Sequence, residues 1–433
     1  MQDDDKPRKA IDTPRGTSDM GFSEAIAADE TISVITETFK RFGFSPIDTP
    51  AIENLSVINS KAYGDEPTKQ IYTLEGGEAG MRFDFTVPLA RYLAMNRNLA
   101  LPFKRYQVGK VWRKDEPQRM RSREFIQADI DIVGSSELDC EAEVLAATAS
   151  ALDALGINGF VILLNNRRML NSLLLSFGVP NEKEAAAVRI IDKLAKQGAE
   201  ATIDQLSQGI MDRPNAEKLV AFVQESGGND EKLSKLAANS NASQKEIEDT
   251  KKLIAMLQQY GLKCEIRVDL SLARGLDYYT SFIWEFIAFD GKKQLPSIAA
   301  GGRYDELISM FTKSKMPAVG SSIGVSRLLA LFNGRKPKKS YVQVFVARIG
   351  EENREYAGTV CQLLRLGGIY TDMDVTRRSI SKQLDYANSI GARYVVVVGN
   401  QERAAKKVKL RDMSSGNEEL LDLAALLPRL KGV

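Results

Sequence analysis

The sequence predicts an α+β domain built on an antiparallel sheet, a helical insertion within that domain, and a small α/β domain at the C-terminal end. Short β-like runs between Gln70 and Val133 follow one another without helix-length crossovers, which is typical of antiparallel strands. The chain then becomes rich in Ala, Lys, Glu and Leu, and after a basic stretch, GRKPKKS, strands alternate with helices. The predicted boundaries are 1–177 and 261–333 for the two parts of the first domain, 178–260 for the insertion, 334–340 for a linker and 341–433 for the last domain.

Periodicity and breakers place the elements of the first domain. Ile32, Ile35 and Phe39 mark one face of a helix that ends at Gly43. The runs that follow are short and rich in β-branched and aromatic residues, as in strands. The predicted elements are a helix at Ser23–Arg41, an extended stretch at Phe44–Thr49, strands within Ile71–Leu74, Gln107–Trp112, Phe125–Ile132, Cys264–Asp269 and Phe282–Phe289, and a helix at Ser321–Phe332.

The insertion and the last domain differ in composition and in sequence pattern. In the insertion, Ser243 and Glu246 have capping-box spacing ahead of a helix whose face includes Ile247, Ile254 and Leu257. In the last domain a run of Tyr and four Val predicts a strand that is covered on both faces, as in a largely parallel sheet. The predicted order is strand Tyr341–Ala347, helix Glu352–Leu366, strand Tyr370–Val375, helix Ile380–Ile390, strand Tyr394–Val398, basic strand Lys406–Arg411 and helix Glu418–Leu430.

The composition excludes several classes of protein. The chain has 433 residues with 59 Lys and Arg, 57 Asp and Glu, three Cys and no His. Without an imidazole it builds no Ser-His-Asp triad, HExxH zinc helix, His-ligated haem or Cys2His2 finger. The formal net charge of +2 predicts that any nucleic-acid site is a local basic patch.

The cysteines and the N-terminal segment predict a cytoplasmic protein. Cys140, Cys264 and Cys361 are far apart and form no CxxC motif, so we expect reduced thiols. Residues Met1 to Lys9 lack the apolar core of a signal peptide, and no apolar run approaches the roughly 20 residues of a membrane span. We therefore expect no membrane association.

The stretch from Lys104 to Gly134 predicts a phosphate-binding hairpin. Two strands joined by a basic loop place Arg113 on one strand, with Arg121 and Arg123 approaching from the other. Such a fork of guanidinium groups suits a polyphosphate, although a solvated basic hairpin has a similar pattern. Gln127 and Asp131 weigh against the solvated alternative, because they share one face of a strand among apolar neighbours and need a polar partner there.

Three further segments combine glycine with polar or aromatic residues. Arg274–Thr280, RGLDYYT, fits either a ligand site or an Arg-Asp pair in a turn with two core tyrosines. In Ala299–Asp305, AAGGRYD, the glycines form only a turn or allow a ligand to approach the backbone closely. Gly320–Arg327, GSSIGVSR, places small residues before a helix that carries Arg327, and a helix start of this kind attracts anions.

Together these segments resemble the histidyl-tRNA synthetases, which are class II aminoacyl-tRNA synthetases. The resemblance runs from Arg15-Gly-Thr-Ser-Asp19 to the C-terminal domain, and Pro50 stands at the end of the family's dimer-forming first motif. Trp112 to Phe125 is similar to its second motif and Gly324 to Arg327 to its third. RGLDYYT and GGRYD are similar to its histidine-specific signatures. The implied fold is a class II synthetase-like catalytic domain with a helical insertion and a C-terminal anticodon-binding domain.

The resemblance also implies the substrates and the role of each site residue. It implies ATP with Mg2+, L-histidine and tRNA(His) as ligands, and a homodimer. Asp84, Thr86 and Gln127 are implied to bind the histidine α-amino group, and Asp131 and Tyr279 the imidazole, with Tyr278 lining the pocket. The catalytic residues Arg113 and Arg274 are implied to contact the carboxylate and the α-phosphate. Asp115, Arg121 and Arg327 are implied to bind the rest of ATP.

Three positions depart from the family pattern. Asp115 and Asp131 stand where many members have Glu, and Ser326 replaces a common acidic residue beside Arg327. The shorter side chain of Asp115 reduces its reach toward adenine by one methylene. None of the three departures removes an arginine that the implied mechanism needs.

The last domain resembles the anticodon-binding domain of several class II synthetases. The candidates for RNA contact are polar residues near the second helix and at the basic strand, with a solvated basic surface as the alternative for any one of them. These candidates are Arg377, Arg378, Lys382, Gln383, Lys406 and Lys407.

Another functional class shares the implied fold. The regulatory subunit of ATP phosphoribosyltransferase and the sensor region of certain stress kinases are catalytically idle relatives that act in regulation or in sensing uncharged tRNA. Both typically lose the RGLDYYT chemistry, and the regulatory subunit also lacks the C-terminal domain. This chain keeps both features, which favours the enzyme.

Overall fold

The computed structural model describes residues 12–59, 68–118, 120–240, 244–273, 278–291, 293–312, 315–332 and 337–432. The described residues fall into two compact units. The first contains residues 12–18 and 30–332, and the second contains residues 19–29 and 337–432. Among the described residues, no helix combines the length and the apolar character that crossing a membrane requires.

Seventeen strands are labelled here in chain order. They are β1 (Ser45–Pro46), β2 (Ile52–Asn54), β3 (Ala79–Met81), β4 (Phe103–Trp112), β5 (Glu124–Val133), β6 (Val161–Asn166), β7 (Glu265–Val268), β8 (Phe282–Ile287), β9 (Phe289–Asp290), β10 (Lys293–Gln294), β11 (Ala299–Arg303), β12 (Ala318–Ile323), β13 (Val344–Arg348), β14 (Thr371–Met373), β15 (Tyr394–Val398), β16 (Lys407–Asp412) and β17 (Glu418–Asp422).

The α-helices of the described residues are given by their bounds. They are Phe22–Arg41, Leu55–Ile58, Thr86–Met95, Asp139–Ala154, Arg167–Ser176, Glu184–Ile191, Leu194–Gln197, Ala199–Ser207, Arg213–Val223, Asn229–Asn239, Gln244–Gln259, Val325–Leu331, Arg354–Leu366, Ile380–Ser389, Asn400–Ala405 and Leu423–Lys431.

An eight-stranded sheet forms the centre of the first unit, in the order β1-β4-β5-β12-β11-β8-β6-β7. The outermost pairs, β1 with β4 and β6 with β7, are parallel, and all the pairs between them are antiparallel. The helix Asp139–Ala154 packs in the same apolar core as this sheet. The predicted antiparallel sheet is therefore confirmed.

The register of β4 against β5 decides which side chains meet. Arg105 lies opposite Asp131, and Gln107 lies opposite Asp129. On the other side of β5, the strand β12 places Gly320 opposite Asp131. Because alternate residues of a strand share a face, one surface of these strands collects the polar side chains.

The part of the chain between β6 and β7 folds into helices in the described residues, and it has its own apolar cluster. Leu173, Leu206, Leu219 and Leu236 are fully buried in that cluster. The predicted capping box at Ser243 lies outside the described residues. The boundaries at 178 and 260 stay a prediction.

A second sheet of five strands forms the centre of the second unit, in the order β14-β13-β15-β16-β17. The first three strands are parallel, and β16 and β17 continue the sheet antiparallel. All five residues of β15 are buried, as the unbroken apolar run predicts.

Two predicted helices begin too early in the sequence. Residues of the predicted helix at Ser321–Phe332 instead complete β12, and the helix begins at Val325. The predicted helix at Glu418–Leu430 instead starts as β17, whose alternating exposure matches a strand, and becomes helical at Leu423. In both cases pairing with a neighbouring strand overrides the local helical pattern.

The predicted strand within Ile71–Leu74 is also wrong. In that stretch the structure has only an isolated bridge between Thr73 and Gly80. The backbone there still bonds to its surroundings, since the Met81 amide donates to the Tyr72 carbonyl at 2.8 Å. Apolar content without a partner strand along its whole length is not enough to form a strand.

Candidate active site

A cavity of about 320 Å³ opens on the polar face of the first unit's sheet. It collects predicted site residues from segments that are far apart in the sequence. Those that line it are Asp84, Thr86, Arg113, Asp115, Arg121, Gln127, Asp131, Tyr278, Tyr279 and Arg327. Arg274, the remaining predicted residue of this site, lies outside the described residues.

The basic hairpin forms as the sequence predicts, and Arg113 follows the end of β4. Its guanidinium carbon lies 4.2 Å from the ring centre of Phe83 and 5.1 Å from that of Phe125. Its Nε donates to the Phe83 carbonyl oxygen at 3.2 Å. Aromatic faces attract a guanidinium without neutralising it, so Arg113 is held in place with its charge available to a ligand.

The other two arginines of the predicted fork have different surroundings. Arg121 lines the cavity, and its Nε lies 3.6 Å from the Asp115 carboxylate. Arg123 is not part of the cavity wall; its Nε donates to the Asp115 carbonyl oxygen at 3.0 Å, which braces the loop. The fork that faces the cavity therefore consists of Arg113 and Arg121. Arg123 approaches Arg113 from the other strand through its backbone, since its carbonyl oxygen accepts the Arg113 N–H at 2.9 Å.

The deepest part of the cavity is a buried network around Asp131. The hydroxyl of Tyr304 donates to one oxygen of Asp131, and Arg105 Nη2 lies 2.6 Å from the other. Burial raises the pKa of Asp131, and the charge of Arg105 opposes that rise. Burial also raises the pKa of Tyr304 well above its ordinary value, so its hydroxyl stays a donor.

Two tyrosines complete this end of the cavity. The rings of Tyr278 and Tyr279 have centres 4.7 Å apart, and Tyr304 meets Tyr278 edge to face at 5.9 Å. The flat aromatic walls and the buried carboxylate form a slot with a fixed hydrogen-bond acceptor at one edge. A planar ring with N–H groups fits such a slot.

A second polar group lies nearer the start of the helix Thr86–Met95. One oxygen of Asp84 accepts the backbone N–H groups of Thr86 at 3.0 Å and Val87 at 3.2 Å. Those bonds satisfy free amides of the helix start and fix the carboxylate at the cavity wall. Asp129 lines the cavity as well, and burial raises its pKa to about 7.

Glycines make room for this arrangement within the sheet. A Cβ at Gly320 would lie 2.0 Å from an oxygen of Asp131, and one at Gly301 would lie 2.1 Å from the Gly320 carbonyl oxygen. The GG pair of the GGRYD segment is part of β11, which excludes the turn, one of the two alternatives for these glycines. These glycines allow neighbouring strands and Tyr279 to approach the backbone closely. A Cβ at Gly302 would lie 2.7 Å from the Tyr279 ring.

Arg327 reaches the cavity from the helix Val325–Leu331. Its Nη1 donates to the Ser297 carbonyl oxygen at 2.5 Å. The neighbouring Ser326 hydroxyl accepts the Ile126 N–H at 2.9 Å. Ser326, which replaces a common acidic residue beside Arg327, thus joins this helix to β5.

Sequence reasoning missed four functional candidates at this cavity. Asp129, Tyr304 and Ser322 line the cavity, and Arg105 is buried against Asp131. Arg105 is completely buried, although it lies in the most basic stretch of the chain. No local pattern indicates the pairing of Arg105 with Asp131, because it depends on the register of β4 against β5.

In the second unit, Gln383 does not fit its predicted role in RNA contact. It is 1% exposed, and its Oε1 accepts the Arg348 N–H at 2.9 Å. Its Nε2 donates to the carbonyl oxygens of Arg348 at 2.9 Å and Arg378 at 2.7 Å. The whole amide is used inside the domain, so this prediction is corrected: Gln383 is a structural residue.

The other RNA candidates keep at least part of their side chains on the surface. Arg377 is 74% exposed, and the guanidinium carbon of Arg378 lies 4.2 Å from the ring centre of Tyr386. Lys406 has a left-handed backbone, with φ of 54°, and Lys407 lies 3.7 Å from the Asp422 carboxylate. Lys382 is exposed on its helix. Their part in RNA binding stays a prediction.

Comparisons with known proteins agree with this geometry. The family model described as Histidyl-tRNA synthetase matches residues 16–328, and the model described as Anticodon binding domain matches residues 343–432. Histidine--tRNA ligase of Wolinella succinogenes is 36% identical over 431 residues, which is 95% of this chain and 96% of that protein. The ligase of Stenotrophomonas maltophilia is 37% identical over 443 residues, 94% of each chain.

Solved structures give the same result. The crystal structure of histidyl-tRNA synthetase from Nostoc sp. PCC 7120 has a TM-score of 0.86 at 31% identity, covering 98% of this chain and 99% of that one. An ATP phosphoribosyltransferase regulatory subunit/histidyl-tRNA synthetase from Bacillus halodurans C shares the fold, with a TM-score of 0.76 at 19% identity over 91% of this chain and all of that one. With a family model that matches most of the first unit, and relatives that align over nearly their whole length, the chain belongs to the histidyl-tRNA synthetase family.

Proposed function

We propose that this protein attaches L-histidine to tRNA(His) in two steps, with ATP as the energy source and a histidyl-adenylate as the intermediate. The observation that carries the proposal is one cavity in which a buried carboxylate and two tyrosines lie beside separate arginines. The first group of residues suits an imidazole and the second suits a nucleotide. Membership of the histidyl-tRNA synthetase family supports both assignments.

The amino acid is held by polar groups at two points. Asp131 and Tyr279 recognise the imidazole, and Asp84, Thr86 and Gln127 bind the α-amino group. Buried polar groups reject an apolar side chain of similar size strongly, because such a ligand leaves them without partners. Specificity for histidine therefore follows from burial of the Asp131 network.

In the first step the histidine carboxylate attacks the α-phosphorus of ATP, the bond to the bridging oxygen breaks, and pyrophosphate leaves. Negative charge spreads over the phosphate oxygens in the transition state. Arg113 stabilises that charge from its place between two aromatic rings, and Arg121 and Arg327 hold the triphosphate tail. Fixed charges of this kind act without reorganising during the reaction.

Two other features of the first step rest on the family resemblance. Arg274 contacts the reacting α-phosphate, and Asp115 lies on the adenine side. Bound with ATP, Mg2+ would neutralise part of the charge of the triphosphate tail that Arg121 and Arg327 hold. The described residues contain no group of three His, Cys, Asp or Glu side chains placed to hold a metal ion.

In the second step a ribose hydroxyl of the terminal tRNA adenosine attacks the acyl-adenylate, and AMP leaves. The reaction needs no protein nucleophile, which agrees with a chain that contains no histidine. The second unit, whose family model is an anticodon-binding domain, binds the anticodon region of the tRNA. The protein acts in the cytoplasm as a homodimer.

The function is tested by ATP–pyrophosphate exchange in the presence of each amino acid in turn. We expect exchange with histidine only, and a loss of about 10²-fold or more in Arg113→Ala, because one preorganised donor is removed. Arg213→Ala is the control, since Arg213 is an exposed arginine of a helix far along the chain from the cavity residues.

A folded sample without histidine-dependent exchange contradicts the proposal. That result assigns the chain to the catalytically idle class, as a regulatory subunit or a sensor of uncharged tRNA. The retained RGLDYYT segment and the second unit favour the enzyme over this alternative.

A further inference from the structure

A serine hydroxyl joins two side chains on the cavity wall. Ser322, on β12, accepts a hydrogen bond from Gln127 Nε2 at 2.8 Å and donates one to the carboxylate of Asp129. Gln127 and Asp129 are two residues apart on β5 and share its cavity face, and Ser322 lies directly opposite Asp129 in the register. The chain of bonds therefore runs Gln127 to Ser322 to Asp129.

The directions of these bonds follow from the chemistry of the end group. An ionised carboxylate only accepts hydrogen bonds, so it takes the proton of the Ser322 hydroxyl. The serine oxygen is then an acceptor, and the group that faces it must be the NH2 of the Gln127 amide. The opposite end of that amide, Oε1, is buried and has no hydrogen-bond partner among the described residues.

We propose that Asp129 and Ser322 are positioning residues, which hold the Gln127 amide with its oxygen turned to the α-ammonium group of the substrate. The inference rests on the proposed function and adds two residues to it. An ammonium group carries three donors and needs acceptors. A Gln127 amide turned the other way presents NH2 to that group and repels it.

The charges around Asp129 make this arrangement depend on pH. Burial raises its pKa to about 7, the carboxylates of Asp131 and Asp84 act in the same direction, and Arg105 opposes them. Arg82 is the further cation whose charge interacts with Asp129. Below that pH, a protonated Asp129 donates a hydrogen bond to the Ser322 oxygen. The Ser322 hydroxyl is then free to donate its own hydrogen bond to Gln127 Oε1.

The test compares two ligands that differ only in the amino group. Histidine is measured by its KM in ATP–pyrophosphate exchange, and imidazolepropionate, which lacks the α-amino group, by its inhibition constant. We expect Ser322→Ala and Asp129→Asn each to raise the KM for histidine by about 10-fold, the usual effect of losing one oriented hydrogen bond to a charged group. The inhibition constant of imidazolepropionate should stay within about 2-fold, since its ring and carboxylate use other residues.

Two controls separate positioning from folding. Ser322→Thr keeps the hydroxyl and should restore most of the affinity for histidine. Ser309→Ala removes a serine hydroxyl outside the cavity, which donates to the Glu306 carbonyl oxygen, and should change neither constant. Equal weakening of both ligands in Ser322→Ala, or no weakening of histidine, overturns the inference.

The pH dependence gives a second readout. As pH falls from about 8 to about 6, the ratio of the two constants should move further against histidine in the parent protein than in Ser322→Ala. Protonation of the ligands' own imidazoles contributes equally in the parent and in the variant, so the comparison between them isolates the effect of Asp129 and Ser322 on the amino group. A parent without histidine-dependent exchange overturns the proposed function together with this inference, whereas an active parent whose ratio changes with pH in the same way as that of Ser322→Ala overturns the inference alone.

Discussion

Arg303 and Arg105 are both buried in the first unit, and their surroundings differ. Arg303 donates through Nε and Nη2 to both oxygens of Glu141, at 2.5 and 2.6 Å, and its Nη1 reaches the Asp305 carboxylate and the Ser135 carbonyl oxygen, each at 3.2 Å. Arg105 has Asp131 at 2.6 Å, but its Nε and Nη1 have no hydrogen-bond partner among the described residues. A buried cation with all its donors used stabilises structure, and one with spare donors beside a cavity marks a site.

The same contrast separates two glutamines. Gln383, in the second unit, uses both ends of its amide on backbone groups. Gln127, at the cavity, uses its nitrogen on Ser322 and keeps a buried oxygen without a hydrogen-bond partner in the described part of the chain. In the sequence, both glutamines are polar residues within a motif. Only their hydrogen-bond partners distinguish Gln383, which stabilises its domain, from Gln127, which has an oxygen left for a ligand.

The largest effect should come from breaking the satisfied pair. Arg303→Met leaves Glu141 buried without its cation, and we expect the free energy of unfolding of the first unit to fall by about 3–5 kcal/mol. Both tryptophans, Trp112 and Trp284, lie in that unit, so urea unfolding followed by tryptophan fluorescence measures it. The double variant Arg303→Met/Glu141→Leu should recover much of the loss. A loss below about 1 kcal/mol contradicts the structural role.

Arg105→Met should affect binding more than stability. Without the guanidinium the pKa of Asp131 rises further, and a protonated carboxyl no longer serves as a fixed acceptor for an imidazole N–H. We expect the KM for histidine in exchange to rise by about 10²-fold, within the cost of removing one partner of a buried charge pair. The loss of unfolding free energy should be smaller than in Arg303→Met. Equal destabilisation, or an unchanged KM, removes the distinction between the two arginines.

The sequence predicted much of this cavity, because its residues lie in recognisable motifs. The basic hairpin follows from alternation around a loop, and the inward face of β5 follows from the spacing of Gln127 and Asp131. Family resemblance supplied Asp84 and Thr86, which no local pattern assigns to the site. The missed residues Arg105 and Ser322 depend on strand register, which a single sequence leaves open.

The errors in secondary structure have the same origin. β12 and β17 form where a neighbouring strand is available, and the residues concerned are equally compatible with a helix by local preference. Gln383 follows Arg377, Arg378 and Lys382 in the sequence, and nothing in that order indicates that it is buried. Its burial depends on the contact with β13, which lies 35 residues away in the chain.

Gln383→Ala should give an intermediate effect confined to the second unit. The Arg348 N–H and two carbonyl groups lose their partner, and an unsatisfied buried group costs about 1–3 kcal/mol. Hydrogen exchange of the β13 amides in the intact protein should accelerate, while histidine-dependent exchange of pyrophosphate stays unchanged. The control is Gln401→Ala, at an exposed position of the same unit. Amides of β13 that exchange equally slowly in both variants contradict the structural assignment.

The smallest effect on stability is expected at Lys407, a surface residue in contrast to the buried residues above. Its Nζ lies 3.7 Å from Asp422, and an exposed pair of this kind contributes below about 1 kcal/mol, so Lys407→Ala should leave unfolding nearly unchanged. If Lys407 contacts a tRNA phosphate, the slope of log K against log salt concentration should become shallower by about 0.7–0.9. Lys40→Ala is the matched control, since Lys40 is another surface lysine in an ion pair, with Glu37. Equal salt slopes in the two variants assign Lys407 to the solvated surface. The function of an exposed charge can be measured only through binding to another molecule, here the tRNA.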